Sequence, residues 1–269
     1  MSKFLKLFGF TLVVGMASAT FAFAEYAGGA PGDASVTGKV AFKGAQPPPV
    51  SFDLSKFPQP AFCGKTDAKD GKRLRQDVKV NGGSLADAVV YIEKVEKGKD
   101  WKFEGTKVVA DGCRFLVEGG PSKAVGVVVK KAEISFTNND ADPSDPKSAE
   151  GILHNPHGYE MKGVQSTTTF NKPLPKKGQT IKETIRAIAF KKEDSFMMVE
   201  CDQHNFMKIW ALPVESPYYA IVGEDGSFSI DQVPPGKYKI TAWHPVLGFT
   251  KQDVEVKGKT AVNFEFAAK

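Results

Sequence analysis

Residues 201–207 read CDQHNFM and set a thiol, an imidazole and a thioether three residues apart, at Cys201, His204 and Met207. Thiolate and thioether are soft donors that favour Cu(I), and imidazole also suits Cu(II), so together they can hold copper through a one-electron change. Each residue also has an ordinary alternative: an inert core thiol, a hydrogen-bonded buried histidine, a methionine filling space. The metal reading requires a fourth donor. The four histidines stand at 154, 157, 204 and 244, so the upstream candidates are His154 and His157 in LHNPHG, while His244 in TAWHPVLG belongs to a different part of the chain and reads as structural. No acid–base pair and no motif for a metal with a vacant position is present, so an enzyme is not expected.

Three donors from seven residues imply a strand that ends at Cys201 and a tight turn that swings His204 and Met207 around one point. The first histidine must then arrive from another strand. The rest of the chain supplies such strands: VTGKVAF alternates Val36, Gly38, Val40 and Phe42, CRFLV puts Cys113, Phe115 and Val117 on one face, and AEISF does so with Ile134 and Phe136. FSI, YKITAW and VNFEF follow, and PPP, NGG, EDG and PPG punctuate the runs. Short alternating strands with frequent Gly and Pro turns predict all-β sandwiches rather than a parallel sheet. SLADAVVYIEKV is ambiguous: Leu85, Ala88, Val89, Ile92 and Val95 fall at helical spacing after a possible Ser84 cap, yet VVYI is strongly β-prone.

The first residues point to export. MSKFLKLFGFTLVVGMASATFAFA has a basic start, a short apolar stretch and small residues before Glu25, which predicts a signal peptide over 1–24 and no stable membrane insertion after cleavage. The formal charge of +5 falls by two when Lys3 and Lys6 are removed, and the lysines are scattered, which argues against a nucleic-acid partner. Three cysteines, Cys63, Cys113 and Cys201, leave one unpaired in an oxidising compartment. The partition that fits pairs Cys63 with Cys113 and leaves Cys201 to a metal; three reduced, buried thiols are the competing arrangement. Residues 25–34, rich in Gly and Ala, read as a flexible leader.

The loop resembles the short ligand loop of amicyanin-like and plastocyanin-like cupredoxins, down to the Phe206-Met207 pair, and ISFTNND at 134–140 resembles the strand before the first ligand in that family. The resemblance implies a Greek-key cupredoxin sandwich with one mononuclear copper held by His154, Cys201, His204 and Met207. It prefers His154 over His157 because the family ligand precedes an Asn, here Asn155; Pro156 and Gly158 around His157 read as a turn leading away. It implies a periplasmic or secreted carrier of single electrons, with a cytochrome or dehydrogenase as redox partner. A copper store or delivery protein and a metal-free structural module are the alternatives.

A second resemblance joins the two ends of the chain. VTGKVAFKG near residue 40 and GEDGSFSIDQVPPGKYKITAWHP onward from 223 resemble the carboxypeptidase regulatory-like domain, a small sandwich related to transthyretin, and imply that LADAVVYI is a strand. The composite resembles secreted proteins labelled methylamine-utilisation-like. The expected organisation is therefore a discontinuous sandwich over 35–95 and 216–269, with a copper domain over 96–215 between its halves. ADPSDPKSAEGIL, between Asp140 and His154, is longer than the family's usual connection and reads either as a solvated insertion or as an acidic rim facing a partner.

Overall fold

The computed structural model describes residues 25–268; the expected signal peptide over 1–24 lies outside them. The architecture is all-β, and among the described residues the helices are single turns at Leu54–Lys56 and Pro60–Cys63. No helix among the described residues is long and apolar enough to cross a membrane.

The first sandwich is built from both ends of the chain. In one sheet Ala34–Lys43 pairs antiparallel with Ser227–Val233 and is flanked by Lys259–Ala261 and Phe264–Ala267. The other sheet runs Tyr219–Ile221, Val89–Ile92, Gly236–His244, Gly248–Val256. Alternation works as the sequence suggests: Ala34, Val36, Val40 and Phe42 turn inward onto Leu85, Phe228, Ile230, Ile240 and Phe264. Gly38 occupies an inward position because a Cβ there would overlap the Val262 carbonyl. The ambiguous segment is a strand over Val89–Ile92. Its helix-like apolar spacing arises because both faces are covered: Val90 and Ile92 enter the first core while Val89 packs on Trp210, Leu212 and Trp243 at the junction with the second sandwich.

The second sandwich holds the donors. Its four-stranded sheet runs Phe115–Val117, Thr106–Ala110, Glu133–Asn138, Thr180–Thr184, and its five-stranded sheet runs Val125–Val128, Lys208–Pro213, Phe196–Cys201, Pro156–Lys162, Gln165–Asn171. Between them lie Val108, Phe115, Ile134, Phe136, Met197, Val199 and Ile209. Phe136 is fully buried against the rings of Phe115 and Phe170, each 5.7 Å away, so Phe136→Ala would cost about 3–5 kcal/mol.

Three segments differ from expectation. The leader is not loose: Ala27–Gly29 pairs in parallel with Lys97–Lys99, because the Tyr26 ring packs edge-on against Trp101 and Tyr218 at 6.2 Å and its hydroxyl donates to the Lys99 carbonyl. His157 does not open a turn; it lies in the strand Pro156–Lys162, antiparallel to Phe196–Cys201, where Gly158 lets the Phe170 ring approach the backbone. Residues 50–75, expected within the first sandwich, form a small sheet with the order Val50–Asp53, Lys72–Arg75, Ala68–Lys69. Leu54 and Cys63 from this excursion join the second core, with Phe52, Phe57 and Phe62 packed on it.

Candidate metal centre

Cys201 ends its strand, and the turn after it is closed by its own backbone. The His204 N–H donates to the Cys201 carbonyl at 3.1 Å, Met207 N–H to His204 at 2.8 Å, and Cys201 N–H back to Met207 at 3.1 Å. The first histidine comes from the connection before Pro156–Lys162, where His154 exchanges both backbone hydrogen bonds with Leu174, at 3.2 and 2.8 Å. His154, Cys201 and His204 thereby bring one donor atom each within 4.8 Å of one another. Both histidine Nδ1 atoms face the thiol, 4.0 Å away for His154 and 3.9 Å for His204. All three residues are fully buried. Met207 is buried in the same core, directly after Phe206.

The outer nitrogen of each ring is held. His154 Nε2 lies 2.8 Å from Asp140 Oδ2, and the Asp140 carboxylate also accepts the N–H groups of Gly112 at 2.6 Å and Cys113 at 2.9 Å. His204 Nε2 lies 3.1 Å from the Pro58 carbonyl, so it donates there and leaves Nδ1 free. Such outer bonds fix the tautomer and the ring plane of a ligand histidine. Asn138 braces the same corner by donating to the carbonyls of Ile152 and Leu174. Asn155 donates its N–H to the Cys201 sulfur at 3.3 Å, and its side chain spans Asn171 and Asp202.

Burial sets the protonation states. It pushes the Cys201 thiol up to about 11, against N–H groups of Asn155, Gln203 and His204 that pull the other way. It pushes His204 down to about 4, helped by the neighbouring His154 and opposed by the Pro58 carbonyl. Burial also opposes ionisation of Asp140, but the bonds from His154, Cys113 and Gly112 outweigh it and hold the carboxyl below the usual range. At neutral pH the His204 ring is therefore neutral and the Cys201 thiol protonated.

The excursion at 50–75 covers the centre. Phe57 meets the Phe206 ring at 5.0 Å and Phe52 meets it at 5.9 Å. Arg75, paired with Asp77, donates to the Asn205 carbonyl at 3.2 Å. Cys63 and Cys113 form a disulfide, their Cα atoms 5.3 Å apart, that ties the cover to the turn after Thr106–Ala110. Arg73 reaches into the same corner. Its guanidinium donates to the carbonyls of Cys63, Cys113, Thr66 and Gly112 and lies 4.8 Å from the Phe206 ring.

His157 lies outside the donor cluster. Its Nδ1 faces Asp202 at 2.9 Å and its Nε2 faces Thr168 at 3.0 Å, in a polar network with Tyr159 and Asn171. His244 is buried in the first sandwich, where its Nδ1 accepts the Val246 N–H. The long connection at 141–153 is a pair of turns in which Asp142 and Asp145 cap their own backbone at Ser144 and Lys147. Asp140, Pro58 and Arg73 carried no sequence signal for the site; Asp140 alone stood inside a motif already noted, ISFTNND.

A family model described as polysaccharide lyase family 4, domain II, matches residues 213–263; the sequence expectation for that stretch was a carboxypeptidase regulatory-like domain. No curated protein matches the chain. Among solved structures, a Cu-containing nitrite reductase from Thermus scotoductus SA-01 is similar at 15% identity and a TM-score of 0.29, over 44% of this chain and 24% of that one. The chain thus spans about a quarter of that enzyme's length. A purple cupredoxin from Nitrosopumilus maritimus is similar at 12% identity and a TM-score of 0.27, over 40% of this chain and 98% of the other. For a reduced amicyanin variant the values are 16% and 0.28, over 43% and 87%.

Proposed function

We propose that this chain is an exported copper protein that holds one copper ion on His154, Cys201 and His204, with Met207 as a weak fourth ligand, and carries single electrons between redox proteins. The observation that supports this most is the donor set itself: one thiol and two imidazoles, fully buried, their donor atoms within 4.8 Å of one another. Two imidazoles, a thiolate and a weak axial thioether suit both oxidation states of copper, and bound copper would supply a reversible one-electron couple.

The residues present fit that group. His204 is neutral because burial disfavours its charged form, and His154 is aimed by Asp140. The backbone bonds inside the 201–207 turn and the cover at 50–75 hold the donors in place and keep water out, so little has to reorganise when charge changes. A closed site of this kind favours electron exchange over substrate chemistry, which needs an open position. The Cys63–Cys113 disulfide supports an oxidising compartment, in keeping with the signal peptide expected over 1–24. The redox partner would be a cytochrome or a dehydrogenase.

Copper titration of the full chain and of Cys201→Ser tests the reading. The parent protein should bind one equivalent with an intense thiolate-to-copper absorption, and the variant should lose that band while retaining its far-ultraviolet circular dichroism. Equal colour in the two proteins would remove Cys201 from the site.

A further inference from the structure

Cys63, Cys113 and His204 form a second cluster in which one donor atom from each lies within 4.8 Å of the others, all buried. The two sulfurs are joined in the oxidised protein. Arg73 lies beside them, 4% exposed, with its guanidinium bonded to the carbonyls of both cysteines. Its Nε has no hydrogen-bond partner, and no carboxylate lies within ion-pair distance of it among the described residues. A buried cation without a paired anion is costly. In the oxidised corner the disulfide is neutral, and the opposing charges of Asp67 and Asp140 act on Arg73 only from beyond ion-pair distance.

We propose that Cys63 and Cys113, when reduced, form a second copper site, specific for Cu(I) and held by the two sulfurs, next to His204, whose Nε2 stays on the Pro58 carbonyl and whose Nδ1 stays turned to Cys201. Reduction by a dithiol protein breaks the S–S bond: the dithiol is oxidised to its own disulfide and its two hydrogens pass to Cys63 and Cys113. Binding of Cu(I) then displaces both thiol protons to solvent and leaves a bis-thiolate complex of net charge −1, which the Arg73 guanidinium neutralises. Two thiolates are a soft set that selects Cu(I), and the Cα atoms, 5.3 Å apart, already hold both sulfurs on one side of His204. The site goes beyond the electron-carrier reading and stands without it, because Cys201 is not among its ligands. It gives the chain a place to take up Cu(I) beside the main centre under reducing conditions, closed when the disulfide forms.

The test uses the full chain carrying Cys201→Ser, which removes the main centre. One sample is left oxidised. The other is reduced with a water-soluble phosphine, which becomes the phosphine oxide by taking oxygen from water as the disulfide becomes two thiols, and is then desalted without oxygen. Both are titrated with Cu(I) against a chromophoric Cu(I) chelator. The reduced sample should hold one Cu(I) per chain at least tenfold more tightly than the oxidised one, and adding Cys63→Ser and Cys113→Ser should abolish the gain. Arg73→Met should weaken binding, and Arg73→Lys should restore part of it. Equal affinities before and after reduction, a gain that survives loss of both cysteines, or a reduced chain that unfolds without taking up Cu(I) would overturn the proposal. Failure of the main centre would show instead as missing colour in the oxidised parent.

Discussion

Each sandwich buries histidine completely, and the two cores use it differently. In the first, His244 lies beside the Phe266 ring, with Asp87, Asp77 and Lys79 near enough to act on its charge; its Nδ1 accepts the Val246 N–H and its Nε2 has no partner among the described residues. In the second, His154 and His204 each spend the outer nitrogen on a fixed acceptor and turn Nδ1 towards one thiol. Burial lowers the pKa of His244 and of His204 alike, to about 4, so a neutral imidazole does not by itself mark a metal site. What separates the two is convergence: three donors aimed at one point in the second core, a single ring turned to its own backbone in the first.

The largest effect is expected at the upstream histidines. His154→Gly should abolish the native copper spectrum, whereas His157→Gly should leave it unchanged, since His157 bonds to Asp202 and Thr168 instead; absorption of the two loaded variants decides.

His244 should show its role through acid stability. Its folded pKa of about 4 lies below the ordinary 6.5, so the folded state favours the neutral ring. That stability is complete above pH 6.5 and is lost as pH falls from 6.5 through 4. Denaturant unfolding of the metal-free protein should therefore weaken by about 3 kcal/mol more for the parent than for His244→Gln between pH 7 and pH 4. An equal loss in both would move the acid sensitivity elsewhere.

Asp140→Asn should lower copper affinity by about 10–100-fold, because it weakens the bond that aims His154 while leaving all four proposed ligands in the chain; competition with a calibrated chelator measures this. The smallest change is expected at Met207. Met207→Leu should leave copper bound and shift its reduction potential, and an unshifted potential would make the side chain ordinary packing.

The CDQHNFM turn was legible because its three donors are local and sit at a strand end. The strands on either side were legible because each alternates against one covered face. Val89–Ile92 was harder, since coverage on both faces erases alternation. The cover was not legible. Phe52, Phe57 and Phe62 follow neither a two-residue nor a 3.6-residue period, and Pro58 meets His204 across 146 positions of chain. Asp140 was noted only as part of a strand motif, because an aspartate before Pro- and Ser-rich turns looks like any turn residue until the fold brings His154 beside it.

Spectroelectrochemistry of the oxidised, copper-loaded full chain decides whether His154, Cys201 and His204 hold one electron-exchanging copper ion. One intense thiolate-to-copper band per chain should appear, vanish with one electron and return on reoxidation. Weak colour that washes out with chelator, or no uptake at all, would contradict it.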